Sequence, residues 1–262
     1  MTRHKGRFNA DYAAHTGCAV AVAGHAADTT EFAFAPIVAC SSLSLCGLHA
    51  SMEAFDSAGG VMRRRPLTLV IDEIVELLSS SLAMAILDAG YFLRLDVAAA
   101  LLTDCSWVNE LVRLQREEGC DLAVQISVNA GSLDPFDARV RWAIEALRLA
   151  NVGVVVRLSK TSLPPDIDSL IRAGVGEIAA AVEILCNLAV GPSAARALRE
   201  LGSRPALVSM TAQNLASAKG LDIARALGCA CACGPFLGDR INALEAKQLI
   251  RRSLDRPAFA AR

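Results

Sequence analysis

An alternation limits what this chain can fold into. From about Phe32 onward, short runs of β-branched or apolar residues alternate with longer amphipathic segments, the pattern of repeated βα units. The strand candidates are Phe34–Val38, Leu45–Ala50, Phe92–Val97, Leu122–Val128, Val152–Val156, Glu177–Ala181, Ala206–Met210 and Cys229–Cys233. Between them, Ile71–Leu87 places Ile71, Ile74, Val75, Leu78 and Leu82 on one helical stripe. Asp137–Leu149 does the same with Val140, Ala143, Ile144 and Leu147, and Ala194–Leu201 and Leu221–Leu227 follow the rule. Gly90, Gly119, Gly174, Gly202 and Gly228 each stand shortly before a strand candidate, where helix C-caps belong.

No Pro/Gly-rich linker interrupts the alternation, so the reading is α/β, a single (β/α)8 barrel, with a doubly wound open sheet as the alternative. The division it implies is an N-terminal extension over 1–28, a barrel over 29–252 and a tail over 253–262. The extension is polar and mixed, and carries His4, His15 and His25. No Gly-x-Gly-x-x-Gly or Walker-type loop follows any strand candidate, so Rossmann or P-loop nucleotide binding has no support.

Composition narrows the function classes. The chain has 262 residues, 53% hydrophobic, with 26 basic and 27 acidic side chains and a net charge of −1, which excludes disorder and fibrous classes. Without a basic excess there is no electrostatic footprint for nucleic acid. The run Arg63-Arg64-Arg65 reads as a solvated turn before a helix that would at most touch an anion. No apolar stretch approaches the ~20 residues of a membrane span. Cys18-Ala-Val-Ala-Val-Ala-Gly24, the best candidate for a secretory signal, is too short for one and reads as a buried strand or helix. The nine scattered cysteines read as small buried hydrophobes in a reducing cytosol, so a soluble cytoplasmic protein is expected.

Two stretches resemble a known family. Phe34-Ala-Pro36-Ile37-Val38, followed by His49-Ala50-Ser51, looks like the opening of EAL domains, the bacterial cyclic-di-GMP phosphodiesterases, where Gln-Pro-Ile-Val leads to the Glu-Ala-Leu strand. The tail is similar without gaps to the family's last two strands: Met210-Thr-Ala-Gln213-Asn-Leu-Ala216, then Leu227-Gly228-Cys229-Ala-Cys-Ala-Cys233-Gly234-Pro235-Phe236-Leu237-Gly238. The resemblance spans about Phe32 to Ile250 and implies a TIM-like (β/α)8 barrel of EAL type with one antiparallel strand. It also implies carboxylates at the strand ends that hold two divalent metals and activate water against a phosphodiester.

Position by position, the resemblance finds those carboxylates replaced. The glutamate of Glu-Ala-Leu falls on His49, and the metal-binding asparagine of the next strand on Asp96. Glu-Ile-Thr-Glu looks like Gln125-Ile-Ser-Val128. The paired aspartates fall on Ser159 and Lys160 or, counted from the following loop, on Arg157 and Leu158. The lysine of Lys-Ile-Asp falls near Ala179, the first glutamate of the Ala-Glu-Gly strand on Gln213, and the glutamine before the last glycine on Cys233. The phosphate-gripping arginine becomes Glu53. Too few acidic groups remain to neutralise two dications, and Arg157 or Lys160 would repel them. The remnant of a ligand pocket would be His49, Glu53, Asp96, Gln125, Arg157, Lys160, Gln213 and Cys233, with Asp239 and Arg240 at the barrel mouth.

Other constellations are weaker. Cys229-Ala-Cys231-Ala-Cys233 would put three thiols on one strand face; sulfurs ~6–7 Å apart on an extended strand share a Zn²⁺ or Cu⁺ ion, with His49 as a further ligand, only if the strand bends, so they read first as packing residues. His49 oriented by Asp96 has the parts of an acid–base pair. Ser127 and Ser132 are in no nucleophile elbow. Asp239-Arg240 read equally as partner contacts or solvated charges.

The expectation is a catalytically inactive EAL-like module that binds another protein in bacterial signalling, with no catalytic residue, metal or cofactor. The alternatives are a non-hydrolytic cyclic-di-GMP receptor and an active phosphodiesterase. Thr161-Ser-Leu-Pro-Pro165 departs from the family's dimerisation loop, which leaves a homodimer by another route open.

Overall fold

A computed structural model describes residues 30–55, 61–65, 71–117, 123–134, 136–158, 167–185 and 208–255. The 1–28 extension, Lys160, Thr161–Pro165 and the Ala194–Leu201 helix candidate lie outside the described residues, as does the side chain of Glu53.

The first two strands form a long antiparallel hairpin, β1 (Thr30–Ala39) and β2 (Leu45–Phe55), turned at Leu43 with φ 55°. A third strand, β3 (Val61–Arg65), pairs with the outer part of β2, placing Arg64 opposite Glu53. The arginine run is therefore a strand and not the turn expected for it, because β2 extends beyond Ala50 and offers it an edge. Next come α1 (Ile71–Leu78), α2 (Ser81–Asp88), β4 (Phe92–Asp96), α3 (Cys105–Glu117), β5 (Ala123–Asn129), α4 (Ala138–Leu149), β6 (Gly153–Leu158), α5 (Ile167–Ala173) and β7 (Glu177–Ala181). The described chain ends with β8 (Ser209–Gln213), α6 (Ala218–Ala226), β9 (Cys231–Ala232) and α7 (Ala243–Asp255).

Strands β2, β4, β5, β6, β7, β8 and β9 pair in parallel, and β1 closes the ring by pairing antiparallel to both β2 and β9. This is the closed eight-stranded barrel with one antiparallel strand expected from the sequence, and it excludes the open-sheet alternative.

The residues explain the closure. Outward positions such as Leu48, Leu93, Leu95, Val124, Ile126, Val154, Val156, Ile178 and Met210 join helical Ile74, Leu82, Ile86, Val108, Leu111, Ile144 and Leu147 in one core under the helices. Each fully buried aliphatic side chain of this kind stabilises by about 1.5–3 kcal/mol. Alternate positions point into the barrel, where Ile37, Val155, Ala179 and Cys233 are buried apart from that outer core. Gly47 is required there, since a Cβ would stand 2.5 Å from the Phe92 carbonyl oxygen.

Some boundaries differ from the sequence reading. The Ile71–Leu87 helix is two helices, because Ser80 caps α2 by accepting from the Ala83 N–H at 3.2 Å. The strand expected at Ala206–Met210 runs Ser209–Gln213, set by pairing of Glu177 with Ser209 and Ala181 with Gln213. Gly90, Gly174 and Gly228 have positive φ before their strands, as C-cap glycines do.

Candidate functional site

Three parallel strands each deliver one polar side chain to the barrel mouth. His49 on β2 lies between buried Leu48 and Ala50, Asp96 ends β4 after buried Leu95, and Arg157 on β6 lies between buried Val156 and Leu158. The period of two turns all three inward. His49 Nε2 stands 3.0 Å from Asp96 Oδ1, and Arg157 Nη1 donates to Asp96 Oδ2. Burial pushes the Asp96 carboxyl up, but His49, the Arg157 guanidinium and the Ser127 hydroxyl together outweigh it and hold the group below its ordinary value. Asp96 is therefore an ionised carboxylate paired with Arg157 through Oδ2, while its buried Oδ1 lies near His49 Nε2 with no hydrogen-bond partner among the described residues.

A second polar layer fills the barrel interior. Arg94, fully buried, donates through Nε and Nη2 to Gln125 Oε1 at 2.9 and 2.8 Å, and through Nη2 to Glu177 Oε1 at 2.5 Å. Its guanidinium carbon lies 5.4 Å from the centroid of the Phe92 ring. A charge removed from water this completely is tolerable only when paired, and Glu177 is the pair.

Beside the mouth, the segments after β4 and β5 enclose a cavity of about 550 Å³ lined by Val97, Thr103, Asn129, Ser132, Asp137 and Arg157. Its acids are occupied locally: Asp134 accepts from the Phe136 N–H at 2.9 Å, and Asp137 caps α4 and pairs with Arg139 at 2.8 Å.

The structure thus joins three of the residues singled out in the sequence, His49, Asp96 and Arg157. Gln125 is turned to Arg94 instead. Gln213 is half-buried at the end of β8, Cys233 is buried, and Asp239 and Arg240 lie on the segment before α7, exposed and half-buried respectively. The three cysteines do not share a strand face. β9 is only two residues long, so Cys229 packs in the outer core while Cys231 and Cys233 fall on the inner side. Sequence reasoning missed Arg94 and Glu177. The signal was present, since Arg94 interrupts Leu93 and Leu95 in an otherwise buried strand.

These donors do not fit a dinuclear metal centre. Among the described residues no group of three or more His, Cys, Asp or Glu side chains is placed to hold an ion. A dication at Asp96 would have to displace the Arg157 guanidinium and face its charge. Also among the described residues, no helix is long and apolar enough to cross a membrane.

No protein-family model matches the sequence, and no curated protein matches it. Solved structures do match the fold. The EAL domain of Mycobacterium smegmatis DcpA superimposes with a TM-score of 0.64 at 14% identity, over 86% of this chain and 98% of that one. The EAL enzyme Bd1971, solved with cAMP and cyclic-di-GMP, gives 0.64 at 13% identity over 84% of this chain, which spans 64% of its length. The EAL domain of FimX from Pseudomonas aeruginosa, bound to cyclic-di-GMP, gives 0.58 at 14% identity over 80% and 90% of the two chains. At these identities the likeness speaks for the backbone alone, and the fold it establishes is the TIM-like barrel of EAL domains.

Proposed function

We propose that this chain is a degenerate EAL-type barrel that does not hydrolyse cyclic-di-GMP and serves in bacterial signalling as a regulatory module that binds another protein. The pairing of the Asp96 carboxylate with the Arg157 guanidinium carries the reading. Two-metal hydrolysis needs several free hard-oxygen ligands, and here the Asp96 carboxylate is neutralised by Arg157 and flanked by His49. Apolar surface suited to a partner supports the binding role. Trp142 and Leu149, seven residues apart on α4, are 40% and 63% exposed, and Phe136 just before the helix is 64% exposed. The direct test is incubation with cyclic-di-GMP in millimolar Mg²⁺ or Mn²⁺. No linear dinucleotide is expected, and metal-dependent turnover overturns the reading.

One observation favours a second reading, a cyclic-di-GMP receptor without hydrolysis: Arg157 lines the 550 Å³ cavity, within reach of a phosphate. Against it, Asp96 already neutralises that guanidinium. Titration calorimetry with cyclic-di-GMP separates the two. Saturable heat supports the receptor, and its absence supports the protein-binding module.

A further inference from the structure

Away from the barrel mouth, the outer face of α4 and the end of α5 form a groove of about 690 Å³. Arg141, Trp142, Glu145 and Arg148 reach it from α4, at the three- and four-residue spacing that puts them on one face, opposite the buried Val140, Ala143, Ile144 and Leu147. From the other side come Arg172, in the last turn of α5, and Gly174 just beyond it. Gly174 has φ 109°, and a Cβ there would stand 3.1 Å from Arg148 Cδ. The bare glycine therefore lets the arginine stem lie against the end of α5.

The charges of the groove are set apart from those of the other helix faces. Exposed arginines elsewhere are held by a neighbour: Arg113 by Glu110, Arg139 by Asp137 and Arg225 by Asp222. Arg141 and Arg148 make no such pair among the described residues, although Glu145 is within helical reach of both. Arg172 donates to the Ser169 hydroxyl at 2.9 Å, which leaves its charge uncancelled by that bond. The helix dipole favours cations in the last turns, where Arg148 and Arg172 sit, but disfavours Arg141 in the first turn of α4. Three guanidinium groups against one carboxylate thus surround an exposed indole.

We propose that this groove docks an acidic peptide segment of a partner protein, which seats an apolar side chain against Trp142 and sets carboxylates against Arg141, Arg148 and Arg172. The inference rests on the reading of the chain as a protein-binding module and adds the chemistry of the partner. Trp and Arg are the side chains that most often carry the binding energy of a protein interface. Exposed Leu149 and Phe136 extend the apolar surface at the two ends of α4. A bare phosphate suits the groove less well, because Glu145 stands between Arg141 and Arg148 along the helix and would repel it. A peptide brings backbone N–H groups for that carboxylate as well as acids for the arginines.

The test uses the full chain, immobilised, and a displayed library of random dodecapeptides. Enriched peptides should carry an excess of Asp and Glu around a large apolar residue, and should bind more weakly as salt is raised, because the arginines are exposed. Trp142→Ala and Arg141→Glu should each lower their affinity roughly 10-fold, and Glu145→Lys should raise it. Thermal melts check that each variant is folded, and because the three substitutions push in different directions, a variant lost to misfolding leaves the other two decisive. The proposal fails if no peptide is enriched, if the enriched peptides are neutral or basic, or if folded variants bind them as the native chain does. It fails equally if inorganic tripolyphosphate binds the groove more tightly than the peptides, or if Trp142→Ala instead dissociates a dimer of this chain. A groove that binds nothing while cyclic-di-GMP stays intact refutes the docking site alone; metal-dependent turnover refutes the module reading, whatever the groove binds.

Discussion

Arg157 donates to Asp96 across the barrel mouth, from β6 to β4, with β5 between them. The same carboxylate stands 3.0 Å from His49 on β2, so one anion ties three strands together. In a barrel whose resemblance implies carboxylates free to hold metal, this one is consumed by a structural pairing.

The pairing has a pH signature. Asp96 is held below its ordinary value of 3.8, so its contribution to stability is complete above that pH. It is lost as pH falls through the lower folded value. Thermal melts from neutral pH to about pH 3 should show an acid-side loss of stability that is smaller in Asp96→Asn than in the native chain.

The buried ion pair predicts a larger effect. Glu177→Gln leaves the Arg94 guanidinium fully buried without its counter-charge and should cost about 3–5 kcal/mol in chemical denaturation. Replacing both partners with methionine should recover most of that loss, because no charge is then left unpaired.

Two glycines should respond in opposite ways. Gly234 has φ 149°, and a Cβ there would stand 2.1 Å from the Leu215 nitrogen, so Gly234→Ala should destabilise by more than about 1 kcal/mol or prevent folding. A Cβ on Gly176 meets nothing within 4 Å, and Gly176→Ala should change stability by less than about 1 kcal/mol. Denaturant midpoints of the two variants check the contrast.

The break between α1 and α2 rests on a single cap. Ser80→Ala removes the acceptor of the Ala83 N–H and should cost about 0.5–2 kcal/mol by the same measurement.

The barrel was legible in the sequence because its outer core repeats one chemistry. Leu93 and Leu95, Val124 and Ile126, and Val154 and Val156 recur at period two, and Gly90, Gly174 and Gly228 mark the turns that feed strands. The tail was legible for a sterically stricter reason, since Gly234 sits where no side chain fits. β3 and α3 went unread. β3 is a charged strand that, among the described residues, pairs along one edge, and α3 has the polar composition of Asn109, Glu110, Arg113, Gln115 and Arg116. At the site, His49, Asp96 and Arg157 were each identifiable singly, but their mutual contact depends on closure of strands far apart in sequence. Arg94 and Glu177 were hidden for the same reason, since a buried charge reads as anomalous until its partner 83 residues away is placed beside it.

The central claim is that this mouth lacks the acidic oxygens to cage two dications. Its most direct test is the stoichiometry of Mn²⁺ binding, read from the loss of the free-ion paramagnetic resonance signal as the protein is titrated at neutral pH. The account predicts no saturable site at micromolar Mn²⁺; two bound equivalents per chain, abolished by Asp96→Asn, would contradict it.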